Sequence, residues 1–477
     1  MGAADFLYSG FAGRLGYEPT PCQDSLFHDI SRFLTGDDGD IMVVNGYAGT
    51  GKTTALAAVV GHLKSMKVPC VLLAPTGRAA KVLGGYTGSE AYTVHKYIYR
   101  QKSTAEDGSG LFSMAPNKLK DTLFVVDEVS LIGISQGEGR STAQFGSGNL
   151  LEDLVQFVRN GSGCRMILVG DAAQLPPVGL DRSPALSEDY MAMVGGVSFA
   201  TLTTVVRQKK ASGILENATR LRELIASEAD IVPADALGLR TDGFDDFVRI
   251  GGGELLDALN DAYSKYGEDE TIVLCRSNKR ANRYNAGIRA QIQYREERLV
   301  RGDNLMIVKN CYQFVENIEN MSYIANGDMA VLVRISNYEE RYGLQFADAE
   351  LSFPDYGGQE IRAKVCLDTL ESESASLTYE QQNALYQGVL ADYAEIPLKR
   401  KRLAAVREDK YYNALQLKYA NAITVHKSQG GQWKCVFIDN AFWQSDLTLD
   451  DLKWLYTAVT RGVEKVYLVN FKDELFG

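Results

Sequence analysis

The chain has 477 residues, of which 45% are hydrophobic and 23% are charged, as is usual for a folded protein, so extensive disorder is excluded. Its 61 acidic residues outnumber the 50 basic ones, and the net charge of −11 excludes a wholly basic coat protein and restricts any polyanion site to a local groove. No stretch approaches the ~18 apolar residues of a membrane span, and the start lacks the basic and apolar regions of a signal peptide. The seven cysteines are widely spaced, without a C-x-x-C pair. We therefore expect a cytoplasmic protein with reduced thiols, no membrane contact, no zinc and no disulfides.

Short apolar runs separated by helical patterns predict buried parallel strands. In chain order, the runs are Ile41–Val44, Cys70–Ala74, Leu123–Val126, Met166–Val169, Thr271–Cys275, Cys435–Ile438 and Lys465–Val469. The first helix is expected to begin after Thr20, which can cap it, with Pro21 in its first turn. This alternation of strands and helices predicts an α/β fold with covered sheets.

Three regions depart from the alternation. Residues 100–117 are polar and predict a hairpin or a loop. Residues 133–149 are rich in Gly and Ser and predict a mobile loop, to which we assign no role. From about residue 300 to residue 417, short strands with turns predict a small barrel, followed by a polar linker and a charged helical stretch.

The strongest motif is the segment GYAGTGKT at residues 46–53, which fits the pattern G-x-x-x-x-G-K-[ST] between a predicted strand and a predicted helix. Its glycines allow backbone N–H groups to turn toward phosphates, and the helix N-terminus adds positive potential. Lys52 is expected to reach the β- and γ-phosphates of a nucleotide, and Thr53 to bind magnesium. The predicted nucleotide-binding residues of this segment are Gly46, Gly49, Thr50, Gly51, Lys52, Thr53 and Thr54.

Asp127 and Glu128 follow the apolar run Leu123–Val126, at the end of the strand where ligands bind in open α/β sheets. We expect Asp127 to hold magnesium and Glu128 to polarise the attacking water. Adjacent strand residues point to opposite faces, so the two roles are geometrically separable. Taken alone, the pair would be better explained as a solvated strand end, but the upstream phosphate-binding loop favours the catalytic interpretation.

Two arginines are candidates for stabilising a transferring phosphoryl group, which needs positive charge beyond one lysine and magnesium. Arg207 lies in the segment TTVVRQ, and Arg461 ends the run LKWLYTAVTR, with Gly462 expected to cap the preceding helix. From the residues alone, each arginine is equally well explained as a surface ion-pair partner.

The motifs, taken in order, resemble those of superfamily 1B helicases of the RecD/Dda type, which are related to the Pif group. Besides GYAGTGKTT and VVDEVSLI, the matching segments are TPCQDSLF with Gln23, APTGRAAK at 74–81, TVHKYI at 93–98, LVGDAAQLPPVG at 168–179, VVRQ, NAITVHKSQGGQW at 421–433 and YTAVTRG at 456–462. The resemblance implies that Gln23 reads adenine, that Gln174 senses the γ-phosphate, and that Arg207 and Arg461 act as arginine fingers.

The resemblance also implies a fold and an activity. The expected α/β fold has two RecA-like domains with parallel sheets and ATP between them, a small hairpin insertion and an SH3-like barrel insertion. The first domain is expected at 1–200, with the hairpin at 98–118, and the second at 201–299 and 418–477. The barrel with its helical extension is expected at 300–417. The implied activity is unwinding of duplex DNA, driven by ATP and Mg²⁺, with movement 5′ to 3′ along single strands.

The implied partners are single-stranded and forked duplex DNA, bound through a positively charged groove that combines phosphate contacts with stacking. The candidate contacts are Thr76, Arg78, Lys81, His95, Phe112, Thr424, His426, Lys427 and Ser428. Phe112 is the expected apolar residue at the fork, whereas His95 and His426 are alternatively core histidines.

Three other functions stay open: a P-loop ATPase switch without unwinding, a nucleic-acid-binding protein with a regulatory ATP site, and a helicase that tracks on RNA.

Overall fold

The computed structural model describes residues 2–37, 39–104, 110–134, 143–205, 212–227, 229–311, 313–315, 318, 321 and 323–477. Within these residues, the α-helices α1 to α14 are, in chain order, Ala3–Arg14, Pro21–Thr35, Lys52–Ser65, Gly77–Thr87, Val94–Ile98, Leu150–Arg159, Glu188–Val194, Gly213–Ala226, Leu255–Tyr266, Asn278–Gln291, Tyr379–Asp392, Lys399–Glu408, Val425–Ser428 and Leu449–Val459. The β-strands β1 to β21 are Ile41–Gly46, Cys70–Ala74, Ala91–Thr93, Tyr99–Thr104, Gly110–Met114, Leu123–Val126, Ala143–Phe145, Arg165–Gly170, Val197–Leu202, Ile231–Pro233, Phe247–Ile250, Thr271–Cys275, Asn304–Ile307, Met329–Arg341, Leu344–Phe353, Gln359–Cys366, Leu415–Tyr419, Ala422–Thr424, Trp433–Asp439, Asp446–Thr448 and Gly462–Val469. None of the helices in these described ranges is long and apolar enough to cross a membrane.

The first of two compact units comprises Met1–Thr104, Ser109–Leu237 and Asp446–Thr460. Its main sheet has six parallel strands in the order β3-β2-β6-β8-β1-β9. Successive residues of the strands enter two different apolar clusters, one on each face of the sheet. A parallel sheet covered on both faces needs apolar side chains on both, which explains the uninterrupted apolar runs.

The N-terminal helices pack against one face of this sheet. Thr20 caps α2 in a reciprocal capping box with Gln23, and Pro21 is the first helical residue, as the sequence predicts. However, α2 is not the first helix, because α1 precedes it. Leu7 and Phe11 of α1, four residues apart, are buried in the same apolar cluster as α2.

A small three-stranded sheet in the first unit has the order β4-β5-β7. Strands β4 and β5 form the antiparallel hairpin expected within 100–117, although the hairpin tip at 105–109 lies outside the described residues. Strand β7 pairs in parallel with β5. The expectation of a mobile loop at 133–149 is therefore wrong for Ala143–Phe145, while 135–142 lies outside the described residues.

The second unit is built from Gly238–Ser445 and Arg461–Gly477. Its parallel sheet has the order β11-β21-β19-β12-β18, and strands β13 to β17 form a closed barrel. Inward-facing residues such as Leu305, Leu351 and Leu417 fill the barrel and are fully buried. Helices α11 and α12 lie in the chain between β16 and β17. The predicted α/β class, with two parallel sheets and a barrel insertion, is confirmed.

Candidate functional site

The phosphate-binding loop lies between β1 and α3. A Cβ atom on Gly46 would lie 2.6 Å from both Cγ and Cδ of Lys52, so only glycine allows the lysine to fold over the loop. Lys52 Nζ donates to the carbonyl oxygens of Gly46, at 2.5 Å, and Tyr47, at 3.1 Å. Gly51, with a φ of 77°, precedes α3 and offers no capping side chain. The first N–H groups of α3 are therefore available to an anion such as a phosphate.

Asp127 and Glu128 lie just beyond β6, which ends at Val126. Asp127 is only 7% exposed, and burial, with a smaller contribution from Glu128, raises its pKa to about 7. Glu128 has a φ of 54°, a left-handed conformation that costs a residue with a side chain about 1–3 kcal/mol, and its N–H donates to Asp127 Oδ1 at 2.9 Å. The expectation that strand alternation separates the two carboxylates is therefore wrong, because both residues follow the strand.

Asp171 and Gln174 follow β8. Asp171 is 1% exposed, and its Oδ2 lies 3.9 Å from Lys52 Nζ. Gln174 is 4% exposed, and its Oε1 has no hydrogen-bond partner among the described residues. Leaving a buried acceptor unpaired costs about 1–3 kcal/mol. The orphaned oxygen therefore fits a hydrogen bond from a water molecule beside a bound nucleotide.

The three loops meet at one edge of the sheet, because they follow β6, β8 and β1, which are adjacent and parallel. The phosphate-binding loop contributes N–H groups and an ammonium group, which suit phosphates. Thr53 at the start of α3 has a hydroxyl group, and Asp127 has a carboxylate, and Mg²⁺ prefers such oxygen ligands. The residues at this edge therefore fit a magnesium nucleotide.

Gln23 is fully buried and contacts the phosphate-binding loop. Its Nε2 donates to Thr50 O and to Tyr17 Oη, both at 3.3 Å, and its Oε1 accepts from Thr20 N at 3.1 Å. The amide thus supports the loop. Tyr17, which is 42% exposed beside it, has no motif that would mark it in the sequence.

A second aromatic contact at the loop is likewise not marked by any motif. The guanidinium of Arg222, on α8, lies 4.8 Å from the ring centroid of Tyr47, and its Nη1 donates to Thr203 O at 3.2 Å. A cation over an aromatic ring is attracted by the ring electrons. Arg222 therefore adds positive charge beside the loop, but it lies 175 positions after Tyr47 in the sequence, and no spacing rule connects the two residues.

Of the two candidate finger arginines, only Arg461 lies among the described residues. Arg207 lies outside the described residues. Arg461 is 3% exposed in the second unit, and its Nη1 donates to Gly431 O at 3.1 Å. The expected cap at Gly462 is wrong: α14 ends at Val459 with Thr460 as its C-cap, and Gly462 begins β21.

The candidate DNA contacts of the first unit follow β2 and β3, which are paired in parallel. Thr76 caps α4, accepting from Ala79 N at 3.2 Å, and Arg78 and Lys81 lie on that helix. His95 lies on α5. These residues therefore lie at the same edge of the sheet as the nucleotide loops, beside β6.

His95 and Phe112 both contact Phe145 of β7. Burial lowers the pKa of His95 to about 4, so its imidazole is neutral near pH 7 and cannot attract phosphate by charge. Its ring meets that of Phe145 edge-on at 5.0 Å. The ring of Phe112 stacks on Phe145, which leaves at most one face of Phe112 for a base.

The candidate DNA contacts of the second unit lie on and before α13. Thr424 ends β18, and His426, Lys427 and Ser428 lie on the helix. Lys427 Nζ donates to Asn326 Oδ1 at 2.7 Å, and burial lowers the pKa of this lysine. Ser428 is 1% exposed and its hydroxyl donates to a carbonyl of its own helix, so Ser428 is part of the local packing.

Two family models match the chain. An AAA domain matches residues 28–232, and a UvrD-like helicase C-terminal domain matches residues 419–469. The ATP-dependent RecD2 DNA helicase of Deinococcus radiodurans is 33% identical over 181 residues, which are 37% of this chain and 21% of that protein. The ATP-dependent DNA helicase Pif1 of Psychrobacter sp. is 23% identical over 424 residues, 82% of this chain and 60% of that protein. The resemblance to superfamily 1B helicases of the RecD, Dda and Pif type is confirmed.

The chain spans less than two thirds of the length of those two relatives. The ATP-dependent DNA helicase Dda of Enterobacteria phage T4 is 36% identical over 93 residues, 19% of this chain and 21% of that protein. A crystal structure of a Bacteroides Pif1 helicase in complex with ADP-AlF3 and single-stranded DNA covers 97% of this chain and 95% of its own, with 16% identity and a TM-score of 0.48.

Proposed function

We propose that this protein is an ATP-dependent DNA helicase that moves 5′ to 3′ on single-stranded DNA and unwinds forked duplexes. The proposal is supported by the order of the loops along one edge of the six-stranded sheet in the first unit. The loops after β6, β8 and β1 hold the nucleotide-site residues, and the loops after β2 and β3 hold candidate DNA contacts. A conformational change driven by hydrolysis at one half of the edge can therefore reach the DNA at the other half. The polarity and the DNA track rest on the superfamily 1B resemblance.

The chemistry assigned to the chain follows from charge and position. Loop N–H groups and Lys52 hold the phosphates, Glu128 polarises the attacking water, and Gln174 senses the γ-phosphate. Thr53 and Asp127 would hold Mg²⁺, which when bound supplies positive charge to the phosphate oxygens. Because phosphoryl transfer depends on positioning and electrostatics, removing any of these groups should slow ATP hydrolysis strongly. The effect of the same changes on folding should be small.

The proposed cycle needs two lobes. From the sequence, we assign the RecA-like domains to 1–200 and to 201–299 with 418–477, and the barrel with its extension to 300–417. Of the assigned second lobe, residues 201–237 and 446–460 group with the first compact unit. Arg461 and Arg207 are assigned as fingers that complete the ATP site when the second lobe closes. Thr76, Arg78, Lys81, Thr424, His426 and Lys427 are proposed to follow the DNA backbone without reading sequence.

The test is ATP hydrolysis by the full chain with no polymer, with single-stranded DNA and with single-stranded RNA. We expect several-fold stimulation by DNA, and a loss of at least ~10²-fold in Lys52→Ala because its positive charge is assigned to the phosphates. Lys64→Ala, an exposed lysine later on the same helix, is the matched control and should hydrolyse normally. Equal stimulation by RNA would favour an RNA track, and no stimulation by either polymer would favour an ATPase switch. If the unaltered protein binds nucleic acid but does not turn over ATP, the result would favour a nucleic-acid-binding protein with a regulatory ATP site.

A further inference from the structure

Helix α14 lies far along the chain from the phosphate-binding loop, yet Tyr456 on this helix contacts it directly. Tyr456 is 1% exposed, and its phenol bridges two groups of the candidate nucleotide site. The hydroxyl accepts a hydrogen bond from Ala48 N at 2.9 Å and donates one to Asp171 Oδ2 at 2.7 Å. Both hydrogen-bonding functions of the hydroxyl are therefore used within the first unit.

The carboxylate oxygen that Tyr456 contacts is also the one nearest to Lys52. Asp171 Oδ2 lies 3.9 Å from Lys52 Nζ and 2.7 Å from the phenol. The phenol thus competes with the lysine for the same buried negative charge. When a hydroxyl donates to a carboxylate, part of the negative charge is satisfied, and a neighbouring cation is held less tightly.

The same helix has further contacts with the loop after β8. Leu175 N donates to Thr457 Oγ1 at 2.8 Å, and Lys453 Nζ donates to Asp181 O at 3.1 Å. Helix α14 is therefore fixed on the site by several bonds, and Tyr456 is the residue among them that reaches the phosphate-binding loop. A phenol on a rigid helix costs little entropy to position, so it can hold the loop in one shape.

We propose that Tyr456 is a positioning residue that prepares the phosphate-binding loop for a nucleoside triphosphate. It fixes the loop through the N–H of Ala48, and it holds the carboxylate of Asp171 so that Lys52 is free to exchange its loop carbonyls for phosphate oxygens. Without the hydroxyl, Asp171 pairs more strongly with Lys52, and the N–H of Ala48 loses its acceptor. Both changes weaken nucleotide binding. The inference rests on the proposed ATP site.

The experiment compares Tyr456→Phe with Tyr99→Phe. Tyr99 is a buried tyrosine of the same unit whose hydroxyl donates to Asp153 Oδ2 at 2.6 Å, so the control loses a similar bond without touching the loop. In DNA-stimulated hydrolysis we expect Tyr456→Phe to raise the KM for ATP about tenfold, the effect of one charge-assisted hydrogen bond, with a smaller change in kcat. Tyr99→Phe should keep the KM of the unaltered protein. An unchanged KM in Tyr456→Phe, or equal rises in both variants, would overturn the inference.

A second variant keeps the test independent of the folding of Tyr456→Phe. Asp171→Asn removes the charge that holds Lys52. Its one carboxamide oxygen can accept from the phenol only at the expense of the bond that Asp171 Oδ1 accepts from Ala173 N at 3.0 Å. With the phenol bond kept, the variant should bind a fluorescent ADP analogue at least as tightly as the unaltered protein. Tenfold weaker binding by Asp171→Asn would contradict the proposed competition. ATP hydrolysis by Lys52→Ala distinguishes a failure of the proposed ATP site from a failure of the proposed role of Tyr456. If Lys52→Ala hydrolyses ATP normally, the ATP site is wrong, whereas an inactive Lys52→Ala with a normal Tyr456→Phe overturns only the role of Tyr456.

Discussion

The ring of Phe112 stacks on the ring of Phe145, with the centroids 4.5 Å apart and the planes 20° from parallel. The contact joins the hairpin to the segment that follows Glu128 in the chain. Gly146 N extends this connection by donating to Phe112 O at 2.9 Å, next to the paired strands β5 and β7. Stacked aromatic pairs add about 0.5–1.5 kcal/mol beyond the area they bury. The hairpin is therefore one part of a three-stranded element, held in place by Phe145.

We predict that trimming the hairpin of this three-stranded element uncouples translocation from strand separation. Replacing residues 103–113 by a short Gly-Ser turn should leave both large sheets folded, because the segment is not a strand of either one. The trimmed protein should keep ATP hydrolysis stimulated by single strands and lose most duplex unwinding, since separation needs an obstacle at the fork. Phe145→Ala leaves the hairpin length unchanged. It should also keep ATP hydrolysis stimulated by single strands and reduce duplex unwinding, but by less than the trimming does. Equal unwinding by trimmed and intact protein at matched ATP hydrolysis would show that the hairpin has no role.

Glu128→Gln should bind nucleotide but hydrolyse it at least ~10²-fold more slowly, because the amide cannot polarise water as the carboxylate does. Magnesium coordination is assigned to Asp127, so nucleotide affinity in the presence of Mg²⁺ should change little. Single-turnover hydrolysis and equilibrium binding of a fluorescent ADP analogue separate the two effects. Glu152→Gln, a change of the same kind at the start of α6, should be normal. Near-normal turnover in Glu128→Gln would remove the residue from the proposed site.

Arg461→Ala and Arg207→Ala should each retain nucleotide binding and lose most hydrolysis, because finger arginines act on charge that develops in the transition state. The expected signature is a fall in kcat with little change in KM. Arg249→Ala, in the second unit, is a control, since this arginine pairs with Asp473 near the C-terminus. Full DNA-stimulated turnover in both finger variants would rule out the two-lobe mechanism.

The pKa of His95 leads to a prediction about pH. A histidine whose pKa is lowered to about 4 is neutral throughout pH 6–8, so its protonation contributes nothing to DNA affinity in this range. His95→Gln should therefore leave both the pH dependence and the salt dependence of single-strand binding unchanged. Lys427→Gln, which removes a candidate phosphate contact, should reduce the slope of log affinity against log salt by about 0.7. A change in the salt slope for His95→Gln would show that the histidine binds phosphate as a cation.

The sequence predicts the inner strands of both parallel sheets, because doubly covered strands need continuous apolar runs, and Thr271–Cys275 is fully recovered as β12. The edge strands β3, β9, β11 and β18 are not among the predicted runs. The phosphate-binding loop is equally visible, since its chemistry depends on neighbouring residues. Helix α1 has no clear signature in the sequence, because its apolar and polar residues are poorly segregated around the helix. Strand β7 has no signature in its Gly- and Ser-rich surroundings, because it forms by pairing with β5. The bond between Tyr456 and Asp171 joins residues 285 positions apart, beyond the reach of any local pattern.

Helicase activity and its polarity can be measured together as unwinding of tailed duplex DNA with ATP and Mg²⁺. The substrates carry a single-stranded tail only at the 5′ end, only at the 3′ end, or at both. We expect unwinding of the substrate with a 5′ tail and of the fork, little unwinding with a 3′ tail alone, and none by Lys52→Ala. Unwinding that requires a 3′ tail would contradict the proposed polarity, and failure to unwind any substrate despite DNA-stimulated ATP hydrolysis would contradict the proposed helicase activity.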